Sequence, residues 1–182
     1  MEHLYYLVAQ LPAISVNDDS SQKLPLTVGY FKDLCSRFMS EKSAKLAEKL
    51  TLEPPVEPVS TGSVFLDEWY EKERCLRLAL AQIRALKMKK DVKDLPSAID
   101  GESIQAARTA TGMDSPLAAE QYLNQYRLGI LDRIAPMDNF SADAVYSYGL
   151  KLMLAERMKK FNKNEGLASY HKIYDEILGE KK

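Results

Sequence analysis

Two glutamates, Glu73 and Glu156, fall among apolar residues at helical spacing. Paired carboxylates beside a core can serve as general acid and base. In the stretch FLDEWYEKERCLRLALAQIRALK, residues 65–87, a helical projection puts Phe65, Trp69, Leu76, Ala79, Leu80 and Ile83 on one face, with Glu73 at its edge. Arg77 stands one turn on and Arg84 near the same azimuth, so Glu73 can be satisfied within its own helix. The functional alternative is a carboxylate offered to a ligand or to a partner's basic residue. Glu156 shares a stripe with Val145, Gly149 and Leu152, with Arg157, Arg127 and Arg133 available as partners. The expectation is a set of structural ion pairs at Glu73, Arg77, Arg84 and Glu156; the competing one is a small enzyme using Glu73 and Glu156 as a catalytic pair.

Other chemistries lack their parts. A di-metal site in a helical bundle draws on Glu-x-x-His motifs from facing helices. The only histidines are His3 and His171, and neither follows a glutamate by three. Cys35 and Cys75 are too few for a zinc site without histidines near them. The glycine-rich phosphate loops and the G-x-S-x-G nucleophile turn are absent. His171 and Asp175 have the spacing of a base and its orienter, but no nucleophile is tied to them, so a surface pair is expected. No catalytic, cofactor-binding or metal-binding residue is assigned, and no cofactor is expected.

The elements that position these residues read as helices. Apolar spacing and caps predict helices over 27–38, 41–50, 63–90, 102–110, 115–134, 141–161 and 165–178. Residues 4–9, LYYLVA, fit either a short extended segment or a helical start. The fold class is therefore all-α: an antiparallel bundle of six or seven helices, with an extended N-terminal segment as an option. The segment TLEPPVEPVSTGS carries three prolines and cannot continue a helix. It divides the chain into an N-terminal helical part, 1–52, a proline-rich connection, 53–63, and a main bundle, 64–182.

Charge and composition narrow the partners. The 182 residues carry 25 basic and 26 acidic side chains, so no net field draws the protein to nucleic acid or to an anionic membrane. The first residues lack a basic n-region, and Pro12 stops their apolar run early, unlike a secretory signal. No apolar run reaches the ~18 residues of a membrane span, so direct membrane insertion is not expected. Two cysteines inside helical patterns fit reduced, packed thiols in a cytoplasmic protein. Lys87, Lys89 and Lys90 close one long helix and Lys159 and Lys160 another; dipole complementarity accounts for both clusters, yet together they would form a patch for an acidic partner. The ten tyrosines fit either a protein interface or the rim of an ordinary core.

Taken together, YYLVAQLPAI, FLDEWYEKERCLRLALAQIRALK, and SPLAAEQYLNQYRLGILDRIA leading into FSADAVYSYGLKLMLAERMKKFN resemble a family of short bacterial proteins encoded alongside components of V-type ATPases. More distantly they resemble the C-type subunit of the V/A-type rotary ATPases, the equivalent of the eukaryotic d-type subunit. The likeness rests on helix order and on positions such as Glu73, Leu76, Arg77, Leu80, Arg84 and Ala85. It implies a non-catalytic helical coupler, without a cofactor, that seats the central stalk on the membrane rotor ring. It also implies a cytoplasmic protein held at the inner face of the membrane through that complex. The full-length family member is considerably longer and built from pseudo-repeated helical units, so this chain would be a shortened form or an accessory. A generic helical adaptor is the alternative.

Overall fold

A computed structural model describes residues 4–14, 24–90, 100–160 and 163–179. His3, most of the loop expected after residue 90, and the expected helix end at Phe161 lie outside these residues. The described residues form eight helices: α1 (Tyr5–Ala9), α2 (Val28–Phe38), α3 (Glu41–Glu48), α4 (Val64–Lys87), α5 (Gly101–Gly112), α6 (Pro116–Arg133), α7 (Ala142–Lys159) and α8 (Lys163–Gly179). No strand occurs among the described residues, and the fold is all-α.

The helix starts are written into short polar side chains. Thr27, Ser40, Ser63, Ser115 and Ser141 each accept a hydrogen bond from the amide three residues on, and Asp100 from that of Glu102. Each such cap removes one of the orphan donors of a first turn. Pro116 occupies the first turn of α6, where its missing N–H costs nothing.

Of the two options for residues 4–9 the helical one holds and the extended one does not: Tyr5–Ala9 form α1, with Leu4 at its N-cap. The amide of Leu4 donates to the carbonyl of Phe140 at 2.9 Å, the Tyr5 and Phe140 rings lie 4.3 Å apart, and Leu7 is fully buried. Tertiary burial thus decides between two local conformations that the side chains alone leave balanced.

The polar contacts fix the directions. Arg157 of α7 pairs with Glu120 near the start of α6, and Lys151 with Asp132 near its end, so α6 and α7 are antiparallel. Arg133 at the end of α6 pairs with Glu102 at the start of α5. α4 and α5 instead run parallel: Lys72 meets Asp100 at the start of α5, and Lys87 donates to the Thr111 carbonyl near its end. The starts of α4 and α7 lie together, where the Ser63 hydroxyl donates to Asp143 at 2.6 Å. The antiparallel arrangement therefore centres on α6, which runs against α4, α5 and α7.

Among the described residues two apolar clusters fill the interior. The larger joins Leu7, Phe31, Leu34, Ala47 and Leu50 to Phe65, Leu66, Trp69 and Tyr70 of α4 and to Leu131, Tyr146, Leu150 and Leu154. Residues on both sides of 53–63 therefore share one core. The smaller cluster holds Leu76, Ala79 and Leu80 of α4, Ala106, Ala107 and Ala110 of α5, and Leu123 of α6.

Candidate functional site

Glu73 lies between these clusters. On α4 the larger cluster takes Trp69 and Tyr70 and the smaller one begins at Leu76; on α6 the smaller takes Leu123 and the larger resumes at Leu128. The side chains in between, Glu73, Asn124 and Arg127, are polar, and each is at most 5% exposed. Arg127 grips Glu73 with a two-pronged guanidinium contact, Nε to Oε2 and Nη2 to Oε1, both at 2.9 Å. Arg77 Nε adds a third bond to Oε1 at 2.9 Å, and Nη2 of the same side chain donates to the Leu52 carbonyl at 3.2 Å. Arg127 Nη1 reaches Asn124 Oδ1 at 3.4 Å.

Parallel N–H···O bonds of this kind fix orientation as well as charge. Both oxygens of Glu73 are already engaged, so the group is a clamp between α4 and α6 with no lone carboxylate turned to a ligand. The sequence alone offers Arg127 to Glu156 and does not show it as the partner of Glu73. The available signal was Asn124 and Arg127 interrupting the apolar row of Leu123, Leu128 and Leu131.

The remaining expected members separate. Arg84 is exposed and meets no carboxylate among the described residues. Glu156 binds none of the three arginines proposed for it: Arg157 holds Glu120, Arg133 holds Glu102 and Arg127 holds Glu73. Instead its Oε1 accepts the amide of Val28 at 3.3 Å, which places a carboxylate of α7 at the amino end of α2. A negative group there complements the helix dipole. The two glutamates thus serve different helix pairs.

No group of histidine, cysteine or acidic residues able to hold a metal occurs among the described residues. Burial pushes the Cys35 thiol up to about 12, and burial followed by the charge of Glu71 raises that of Cys75. Both stay protonated at neutral pH, the unreactive form of a thiol. Tyr148, its hydroxyl bonded to the Pro12 carbonyl at 2.8 Å, is pushed by burial up to about 12. It lines a groove of about 430 Å³ with Leu11, Ile14, Pro136 and Val145, where Lys151, paired with Asp132, is the only charged wall among the described residues. His171 and Asp175 sit on α8, where every residue from Gly166 to Gly179 is exposed.

Charge also anchors the entrance to α4. Asp67 accepts from the Thr61 amide and from the hydroxyls of Thr61 and Ser60 at 2.7–2.8 Å, closing a turn in which Gly62 takes a left-handed φ of 85°. Burial pushes the Asp67 carboxyl up, but these hydrogen bonds and the Arg74 charge together outweigh it and hold the group below its usual range. At Asp100 burial is likewise outweighed, by Lys72, the Glu102 amide and Ser103. Depressed carboxyls stabilise the fold above their unfolded pKa, near 4, and that contribution is lost as pH falls through the folded value. Thermal melts taken at decreasing pH should therefore show a falling midpoint below about pH 4. Asp67→Asn should flatten part of that slope, and an unchanged slope would contradict the assignment.

Comparison of the chain with protein families, with curated proteins and with solved structures found no match. No helix among the described residues is long and apolar enough to cross a membrane.

Proposed function

We propose that the chain is a non-catalytic, protein-binding helical component of a V/A-type rotary ATPase, integral or accessory, that couples the central stalk to the membrane rotor ring from the cytoplasmic side. The observation that carries the binding role is α8. Its Leu167, Tyr170, Ile173, Tyr174, Ile177 and Leu178 recur at helical spacing, and each is at least half exposed. An apolar stripe left uncovered on one helix is the form in which amphipathic helices enter grooves of other proteins. Tyr170 and Tyr174 stack on each other at 6.0 Å and offer the apolar body and polar tip frequent at interfaces. The choice of complex rests on the resemblance of residues 5–14, 65–87, 115–135 and 140–162 to the ATPase-associated family.

Affinity capture of the tagged protein from native membranes tests the reading. Proteins of the central stalk or the ring should copurify, and deletion should uncouple or destabilise the complex. Normal assembly after deletion, with no ATPase component captured, would overturn it; other partners in the eluate would then identify a general adaptor.

A further inference from the structure

We infer that the end of the bundle where α4, α5 and α7 finish and α6 begins is a docking surface for an acidic protein partner. This rests on the reading of the chain as a protein-binding component. The Lys87 contact to Thr111 sets the end of α4 beside the end of α5, and the Arg157–Glu120 pair sets the end of α7 at the start of α6. Both lysine clusters thus belong to one end of the molecule. Arg84, Lys89, Lys90, Lys159 and Lys160 meet no carboxylate among the described residues, in a chain whose net charge is only -1. The helix dipole favours cations at each helix end separately. It does not explain why Leu86 and Met88, which follow Arg84 and precede Lys89 in the chain, are 62% and 59% exposed.

The backbone adds an independent sign. Lys89 has φ 54°, the only left-handed residue other than glycine among those described, and it follows the Met88 cap of α4. The amide of Lys90 donates back to the Ala85 carbonyl at 2.9 Å, closing the helix by the turn that ordinarily uses glycine. The turn satisfies the Ala85 and Leu86 carbonyls, and a cation is kept at a position where glycine would do so without conformational cost.

Exposed leucine and methionine set among cations match a protein surface with a carboxylate rim, since methionine adapts to apolar partners. A nucleic-acid site would use stacking aromatics and arginine forks, and only Arg84 of this group is an arginine. An anionic membrane would need a longer apolar stripe than two side chains.

The test uses the full chain and a synthetic amphipathic helical peptide of glutamate, alanine and leucine, with phosphatidylserine vesicles and duplex RNA as further arms. The native protein should bind the peptide in a salt-sensitive way and in preference to the other two. Lys89→Glu/Lys90→Glu/Lys160→Glu should weaken peptide binding about tenfold, whereas Lys42→Glu/Lys49→Glu, in α3 and at its C-cap, should not. Lys89→Gly should weaken binding while maintaining or raising the melting temperature, which separates docking from folding. No peptide binding, equal binding by the triple variant, or preference for vesicles or RNA would overturn the inference. If ATPase components copurify equally with the triple variant, this surface fails and the ATPase reading stands. If the peptide behaves as expected and no ATPase component copurifies, the reverse holds.

Discussion

Glu73→Gln is expected to destabilise the protein by about 3–5 kcal/mol, because it leaves the Arg127 guanidinium buried without its counter-charge. Arg127 is 5% exposed, and two of its nitrogens end on Glu73. The amide of glutamine can keep one acceptor near them but supplies no charge. For a chain of this size the loss corresponds to a drop in melting temperature of roughly 6–20 °C. Arg127→Met should cost less, because Arg77 still bonds Oε1 of the carboxylate left behind. Glu73→Leu combined with Arg127→Met should recover most of the loss, since well-packed apolar pairs often replace buried ion pairs at little cost. Urea denaturation of Glu73→Leu, Arg127→Met and the double variant gives the coupling directly. Additive losses would show that the two residues do not act as a pair.

Gly149→Ala is expected to cost about 1–3 kcal/mol, against the general rule that alanine is the better helix former. A Cβ at this position in α7 would lie 2.6 and 2.8 Å from two carbons of the Phe31 ring and 3.0 Å from Leu50 Cδ1. The ring has little room to yield. Phe31 is fully buried and packs 5.8 Å from the Tyr148 ring, which is itself tied to the Pro12 carbonyl. Glycine at 149 therefore sets how closely α2 and Leu50, just past α3, approach α7. Gly129 in α6 is the internal control: a Cβ there meets nothing within 4 Å, so Gly129→Ala should stabilise by about 0.5–1 kcal/mol. Thermal melts of the two variants should shift in opposite directions. Equal shifts would remove the packing argument.

What was readable in the sequence follows from range. The starts of α2, α3, α4, α6 and α7 are set by Thr27, Ser40, Ser63, Ser115 and Ser141 acting on amides three residues away, a local code visible without a fold. The Glu73–Arg77 contact was readable for the same reason, as an i, i+4 pair. Arg127 was not, because it meets Glu73 across 54 residues of chain, and periodicity does not say which face of α6 opposes which face of α4. Glu156 had arginines near in sequence, yet it meets the first amide of a helix 128 residues earlier. The helix α1 depended on Phe140, again a distant residue. The parallel course of α4 and α5 turns on the connection between them, whose composition fixes no direction.

On the proposed function, the buried charges brace the fold and the exposed surfaces bind the partners. Glu73→Leu/Arg127→Met tests this most directly when its unfolding free energy is measured beside its capture of partners from native membranes. A variant as stable as the native protein, within about 1 kcal/mol, that retrieves the same partners is the predicted result. A stably folded variant that retrieves none, or that loses an activity the native chain possesses, would contradict the claim and return Glu73 to the role of a functional carboxylate.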